Sequence, residues 1–238
     1  MAALEQCPTF LTLWQASIVH IDYHIPVPHL TPTDKELEWA RENLIPHALH
    51  ALQKIYEKLG PKFDKADLDQ SVFKGFDLAR RVQEHFDELG ITLRRYAVFV
   101  GYTGAANARP HVDAHAVDIP MIARLNVPLQ GQHGARLGWW KSTVDDPKMK
   151  SRKFEQWDGT QKKMRQAFSY LSPPEFEWPA ADHTEHDPGP CWNRVELAHR
   201  LDLDALTEHR INFTAELATQ ISWNDLMGRL KKRGYLNQ

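Results

Sequence analysis

His111 and Asp113 stand two positions apart in Arg109-Pro110-His111-Val112-Asp113, directly after a strongly strand-like segment. Residues i and i+2 of a strand project to the same side. An imidazole and a carboxylate so placed can aim at one metal ion. They make two thirds of the two-histidine, one-carboxylate face that binds non-haem Fe(II) and leaves other coordination positions open. The chain holds 13 histidines, so a lone His-x-Asp match is weak by itself. Two more stretches carry related chemistry. Arg124-Leu125-Asn126-Val127-Pro128-Leu129 follows the pair, His199 comes 88 positions after His111, and Arg210 comes 11 positions after His199.

The elements that must position these residues show in the change of hydrophobic period. Phe10 to Asp22 reads as one or two strands, and His24 to Pro32 as a proline-punctuated loop. Thr33 and Glu36 have capping-box spacing and open a helix. Leu37, Ala40, Leu44, Leu49, Leu52, Ile55 and Leu59 continue it at helical intervals, with Pro46 as a kink or break and Gly60-Pro61 as its end. A second helix is expected over Val72 to Leu89, with Gly90 as its C′ residue. From Ile91 onward the pattern is strand-like: ITLRRYAVFVGYTG, the His-Val-Asp stretch, MIARLNVPLQG, ARLGWW, Arg194 to Leu197 and Arg210 to Leu217. Residues 141–190 hold many charges and prolines with little periodicity. They read as an insertion over one end of the core, with a helical turn near Gln161 to Phe168. A helix over Ser222 to Arg233 closes the chain.

Helices first and short strands afterwards imply a mainly β core, a sandwich or barrel of the jelly-roll kind, with helices packed outside, hence α+β as a whole. The expected organisation is one domain over 1–238. Residues 1–90 support a core at 91–217 that carries the insertion 141–190, and 218–238 form a C-terminal helix. A chain of 238 residues with 42% hydrophobic and 25% charged residues can bury such a core. The net charge of −2 and the lack of a basic block argue against nucleic acid. Two cysteines, Cys7 and Cys191, make no disulfide framework. With no signal-peptide pattern and no apolar run of membrane-spanning length, a cytoplasmic location without membrane contact is the expectation.

The joint layout resembles the Fe(II)- and 2-oxoglutarate-dependent oxygenases, and more narrowly their aspartyl/asparaginyl β-hydroxylase-like branch. The resemblance covers roughly Arg94 to Leu217 and rests on His111, Asp113, Arg124, Asn126, Pro128, His199 and Arg210. It implies a double-stranded β-helix (cupin-like) fold, with His111, Asp113 and His199 as ligands of Fe(II). It also implies 2-oxoglutarate and O2 as co-substrates. Arg210 is then the cation for the far carboxylate of 2-oxoglutarate, since a planar guanidinium matches a carboxylate bidentately. Tyr102 or Thr214 assist it, and Arg124 and Asn126 lie near the C1 carboxylate. The implied outcome is oxidation of a substrate C–H bond with release of succinate and CO2. The substrate is expected to be a small molecule or to resemble an amino acid. Asp113 points to hydroxylation rather than halogenation, because family halogenases carry a small residue at this position.

Other histidines compete for the third ligand position. His115 continues the pattern as His-x-Asp-x-His, but it would leave the spacing to Arg210 unexplained. His183 and His186 lie in the proline-rich segment and read as solvated. His209 adjoins Arg210. Trp139, Trp140, Trp157 and Trp178 read first as core and second as pocket walls. Two other functions fit the same residues. One is a cupin-like metalloenzyme that does not use 2-oxoglutarate. The other is a non-catalytic interaction module on a jelly-roll scaffold.

Overall fold

The structure, a computed structural model, describes residues 22–60, 63–66, 68–105, 109–116, 121–131, 134–157, 162–170, 180–186, 189–218 and 220–236. The strands expected over Phe10 to Asp22 lie almost wholly outside them. Twelve strands are described. They are β1 (His24–Pro26), β2 (Phe63–Ala66), β3 (Leu93–Gly101), β4 (His111–Ala116), β5 (Ala123–Gln130) and β6 (Arg136–Trp139). The remaining six are β7 (Met149–Trp157), β8 (Lys162–Tyr170), β9 (His183–His186), β10 (Cys191–Arg194), β11 (His199–Asp202) and β12 (Arg210–Leu217). Four helices accompany them: α1 (Asp34–Trp39), α2 (Ile45–Leu59), α3 (Asp77–Glu88) and α4 (Trp223–Lys232). No described helix is long and apolar enough to cross a membrane.

The strands form two six-stranded sheets, ordered β1-β10-β5-β12-β3-β2 and β7-β8-β4-β11-β6-β9. All their pairings are antiparallel. From β3 to β6 the chain crosses to the other sheet with each strand, and it does so again from β9 to β12. Two sheets wound in this way are a double-stranded β-helix, the jelly-roll core expected from the sequence. The winding makes β4 and β11 neighbours although far apart in sequence, with His111 and His199 as direct cross-strand partners.

The first sheet is backed by the helices. On β12, Ile211, Phe213, Ala215 and Leu217 alternate with Arg210, Asn212, Thr214 and Glu216, and all eight residues are buried. The apolar set faces the helical layer, where Phe213 lies 5.7 Å from Phe73 and 5.4 Å from Phe76 between ring centroids. The polar set faces the second sheet. Burial of the apolar set stabilises each large side chain by about 1.5–3 kcal/mol. That makes the helical layer the support for a polar interior face.

Local departures from the expected elements have physical causes. The helix expected over Val72 to Leu89 is two pieces, a 3₁₀ turn at Gln70–Phe73 and α3. Gly75 breaks it at φ +82°, so that Phe73 and Phe76 both reach Phe213. Pro46 does not split its helix. The helical run continues through a π turn at Ala40–Leu44 into α2, and Pro46, which offers no N–H to the preceding turn, follows that wider turn directly. The Thr33–Glu36 capping box forms as read, and Ser222 with Asp225 caps α4 in the same way.

Residues 141–190 are less irregular than their composition suggests. No helical turn forms near Phe168. β7 and β8 make a hairpin that adds to β4 at the edge of the second sheet, and β9 pairs with β6. Helix propensity there yields to the ladder bonds of a sheet already in place. Two other readings change. Residues 195–197 are a turn after β10, and His24–Pro26 is a short strand against Cys191, Trp192 and Asn193.

Candidate metal centre

His111 starts β4, Asp113 follows on the same strand, and His199 starts the neighbouring β11. One ligand atom from each lies within 4.8 Å of the others. Asp113 Oδ1 is 3.7 Å from Nε2 of His111 and 3.7 Å from Nε2 of His199. Among the described residues this is the one group of its kind. A bulge lies in the β4–β8 ladder between Val112 and His115, and the Asp113 N–H bonds to the Val195 carbonyl, 3.3 Å away. Bulges of this type re-aim a side chain next to a site.

Each imidazole is oriented from behind. His111 Nδ1 donates to the Arg109 carbonyl at 2.8 Å, and His199 Nδ1 donates to the Leu197 carbonyl at 2.9 Å. Both rings are then held in the tautomer whose Nε2 lone pair faces the cavity, an arrangement common among metal-binding histidines. Burial holds the His199 pKa down at about 4, so the ring is neutral at ordinary pH and needs no deprotonation to bind a metal. Burial pushes the Asp113 carboxyl up, but its positively charged surroundings, Arg124 first, leave the pKa lowered. Arg124 Nη2 lies 3.0 Å from Asp113 Oδ2, in a contact set off the line of a good hydrogen bond. One carboxylate oxygen is thus held by Arg124 while the other faces the two imidazoles. Two imidazole nitrogens, one carboxylate and an open side fit a divalent transition metal such as Fe(II).

The triad opens on a cavity of about 290 Å³ between the sheets. Its wall includes Arg124 and Asn126 of β5, Arg210 and Asn212 of β12, Asn193, Lys65, Leu137, Trp139, Val195 and Leu201. Arg210 is 2% exposed. With its amide oxygen turned toward Arg210, Asn212 accepts from Nη1 and Nη2 at 2.6 and 2.7 Å. Thr214 sits behind Asn126 and donates to its Oδ1 at 2.8 Å. Glu216 pairs with Arg95 Nε at 2.6 Å and has Lys65 and Arg124 at 3.8 Å. Burial opposes its ionisation, but Lys65, Arg124 and Arg95 together hold its pKa down at about 2.

Seven of the eight residues singled out from the sequence come together here. Tyr102 does not. It follows the last residue of β3 and packs outside the cavity, 4.7 Å from Tyr56 and 4.9 Å from His209 between ring centroids. His209 is engaged with the Thr103 N–H at 3.2 Å and is no part of the metal group. His183 is not solvated as expected but stacks with Tyr23, His24 and Trp139. The side chains of His115, His186, Trp157 and Trp178 lie outside the described residues. Trp139 lines the cavity, whereas Trp140 packs with Val112, Met149 and Tyr170. Asn212 and Glu216 were missed, yet the alternation on β12 signals them. Lys65 and Asn193 have no comparable signal in the sequence.

The fold and the site together define a double-stranded β-helix protein whose interior carries a His-Asp-His group that could hold a metal ion. No protein-family model and no curated protein matches the chain. Among solved structures it is similar to the epimerase SnoN in complex with Fe3+, alpha ketoglutarate and nogalamycin RO. That match has 14% identity over 87% of this chain and 83% of the other, with a TM-score of 0.42. The non-heme alpha ketoglutarate dependent carbocyclase SnoK from nogalamycin biosynthesis matches at 9% identity over 85% and 82%, with a TM-score of 0.38. E. coli ycfD matches at 13% identity over 75% of this chain, which spans 41% of that one, with a TM-score of 0.35. These likenesses are distant, and what the site can do rests on its own geometry.

Proposed function

We propose that the protein is a non-haem Fe(II)- and 2-oxoglutarate-dependent dioxygenase. The observation that carries this reading is the joint arrangement of the triad and a buried arginine within one cavity. Two Nε2 donors and Asp113 Oδ1 converge at one end, and Arg210 with Asn212 lies on the wall. His111, Asp113 and His199 would hold the metal, and Arg210 would pair with the far carboxylate of 2-oxoglutarate. Iron with its oxo acid supplies the oxidising chemistry, and succinate and CO2 are the co-products.

The chain's own residues bind, orient and shelter. Backbone carbonyls of Arg109 and Leu197 fix the imidazoles. Arg124 fixes Asp113. Leu137, Leu201 and Val195 supply the apolar part of the cavity wall. Asp113 supplies the third protein ligand, which favours hydroxylation of an unactivated C–H over halogenation. The motif pattern favours the aspartyl/asparaginyl β-hydroxylase-like branch and an amino acid, peptidyl residue or small metabolite as substrate, without nucleic acid.

Calorimetry with Mn(II) in place of iron tests this. 2-Oxoglutarate should bind the Mn(II)-loaded protein, and Arg210→Ala should weaken that binding by about 100-fold, the loss of a buried bidentate charge pair. No binding to the wild-type protein would sink the proposal. Metal-dependent turnover that survives Arg210→Ala would instead favour a cupin-like metalloenzyme acting directly on its substrate.

A further inference from the structure

Next to the triad the cavity carries hydrogen-bond donors without an acceptor among the described residues. Asn193 is 4% exposed; its Oδ1 accepts from the Cys191 thiol at 3.6 Å, and its Nδ2 has no acceptor among the described residues. Arg124 Nε is likewise buried without an acceptor, although Nη2 reaches Asp113. Trp139 is 1% exposed, and its Nε1 is in the same state. All three residues line the cavity. Leaving one such buried donor unmade costs about 1–3 kcal/mol, so an acceptor carried in by a ligand would stabilise all three.

Their placement follows from the strand registers. Arg124 and Asn193 are direct partners across β5 and β10, which sets their Cβ atoms about 4.5–5.5 Å apart on one face. Trp139 is the cross-strand partner of His199 on the other sheet. His24, the partner of Asn193, stacks on Trp139 at 5.8 Å and bridges the two sheets at this side of the cavity. The donors therefore flank the metal centre on the side of His199 and Trp139.

Charge narrows what the acceptor is. The described cavity wall carries Lys65, Arg124 and Arg210 against one carboxylate, Asp113. Glu216, set behind Lys65 and Arg124, is matched by its own two-pronged pair with Arg95. A divalent metal and a dicarboxylate oxo acid cancel one another. The loaded cavity thus keeps an excess of two positive charges.

We infer that Asn193 Nδ2, Arg124 Nε and Trp139 Nε1 form a subsite for a carboxylate of the primary substrate, beside the metal. This rests on the iron and oxo-acid reading above and narrows its substrate to a carboxylic acid. The same donors could instead serve the metal-chelating carboxylate of the oxo acid, and the test separates the two.

The full chain is loaded with Mn(II) and with N-oxalylglycine, a stand-in for the oxo acid that is not turned over. Acetate and acetamide are then added separately, and Mn(II)-induced broadening of their methyl proton signals is measured. Acetate should broaden strongly, and neutral acetamide about tenfold less. Asn193→Leu and the isosteric Asn193→Asp, each shown folded by circular dichroism, should cut the acetate effect about tenfold while N-oxalylglycine affinity moves less than about threefold. Equal broadening by acetate and acetamide, or an acetate effect unchanged in both variants, overturns the subsite. A tenfold loss of N-oxalylglycine affinity in both variants overturns it as well, by giving the donors to the co-substrate. If wild-type protein takes up neither Mn(II) nor N-oxalylglycine, the parent reading fails and the subsite falls with it. If both bind and acetate does not broaden, the subsite alone fails.

Discussion

Two histidine clusters in this molecule use the same side chain in opposite ways. Beneath the helical layer, Trp192 Nε1 donates to His85 Nε2 at 3.2 Å, and His85 Nδ1 bonds to His29 Nε2 at 3.1 Å. Both ring nitrogens of His85 are consumed inside the protein, and burial holds its pKa down at about 3. Between the sheets, His111 and His199 spend only Nδ1, on backbone carbonyls, and leave Nε2 facing a carboxylate and a cavity. Burial alone therefore does not mark a histidine as structural or functional. What separates the two clusters is whether the second nitrogen has a partner within the chain.

The largest expected effect breaks the metal cluster. His199→Ala, and separately His111→Ala, should lower Co(II) affinity at least about 1000-fold, near 4 kcal/mol, while circular dichroism stays native. Retained affinity in both would remove the triad as the metal site. The reciprocal change is His85→Ala, which leaves the buried Trp192 N–H unpartnered and opens a cavity. Urea unfolding should show a loss of about 3 kcal/mol, and Co(II) affinity should be unaltered. If metal binding moved with it, the two clusters would not be independent.

A milder change sharpens the metal side of the contrast. Arg124→Met removes the partner of the outer Asp113 oxygen and should weaken Co(II) binding about tenfold, read by calorimetry, as outer partners of metal ligands do. Acid titrates the structural side. His85 begins to take up a proton near 6.5 once unfolded, but only near 3 when folded. The unfolded chain therefore holds more protons across that interval. Its share of stability is complete above pH 6.5 and declines as pH falls toward 3. The slope is about 1.4 kcal/mol per pH unit, and His85→Gln should remove it from urea midpoints collected between pH 6 and 4. An unchanged slope in that variant would assign the acid sensitivity elsewhere.

Much of this was legible in the residues. The period of two on β12 assigns Arg210, Asn212, Thr214 and Glu216 to one face, and the same rule puts His111 and Asp113 together. Capping residues Thr33 and Ser222 mark helix starts that do form. The failures share a cause. β7 and β8 lack a strong pattern of their own, and they are strands because β4 offers an edge to pair with. Tyr102 lies close in sequence to the strand that lines the site but turns outside once β3 has ended. Asn193 looks unremarkable beside Cys191 and Trp192, and its importance appears only when β10 is laid against β5.

By itself, the sequence determined which residue types were present, which of them shared a strand face, and that a mainly β core with outer helices would carry them. Those are local properties, set by side-chain alternation, turn chemistry and caps. Only the tertiary structure decided that His199, rather than His183 or His209, stands opposite His111. It alone gave Arg124 to Asp113 and set Asn193 on the cavity wall, its Nδ2 without an acceptor among the described residues. Cross-strand partners are chosen by how two sheets close around a core. That choice depends on contacts far apart in the chain, which no local pattern encodes.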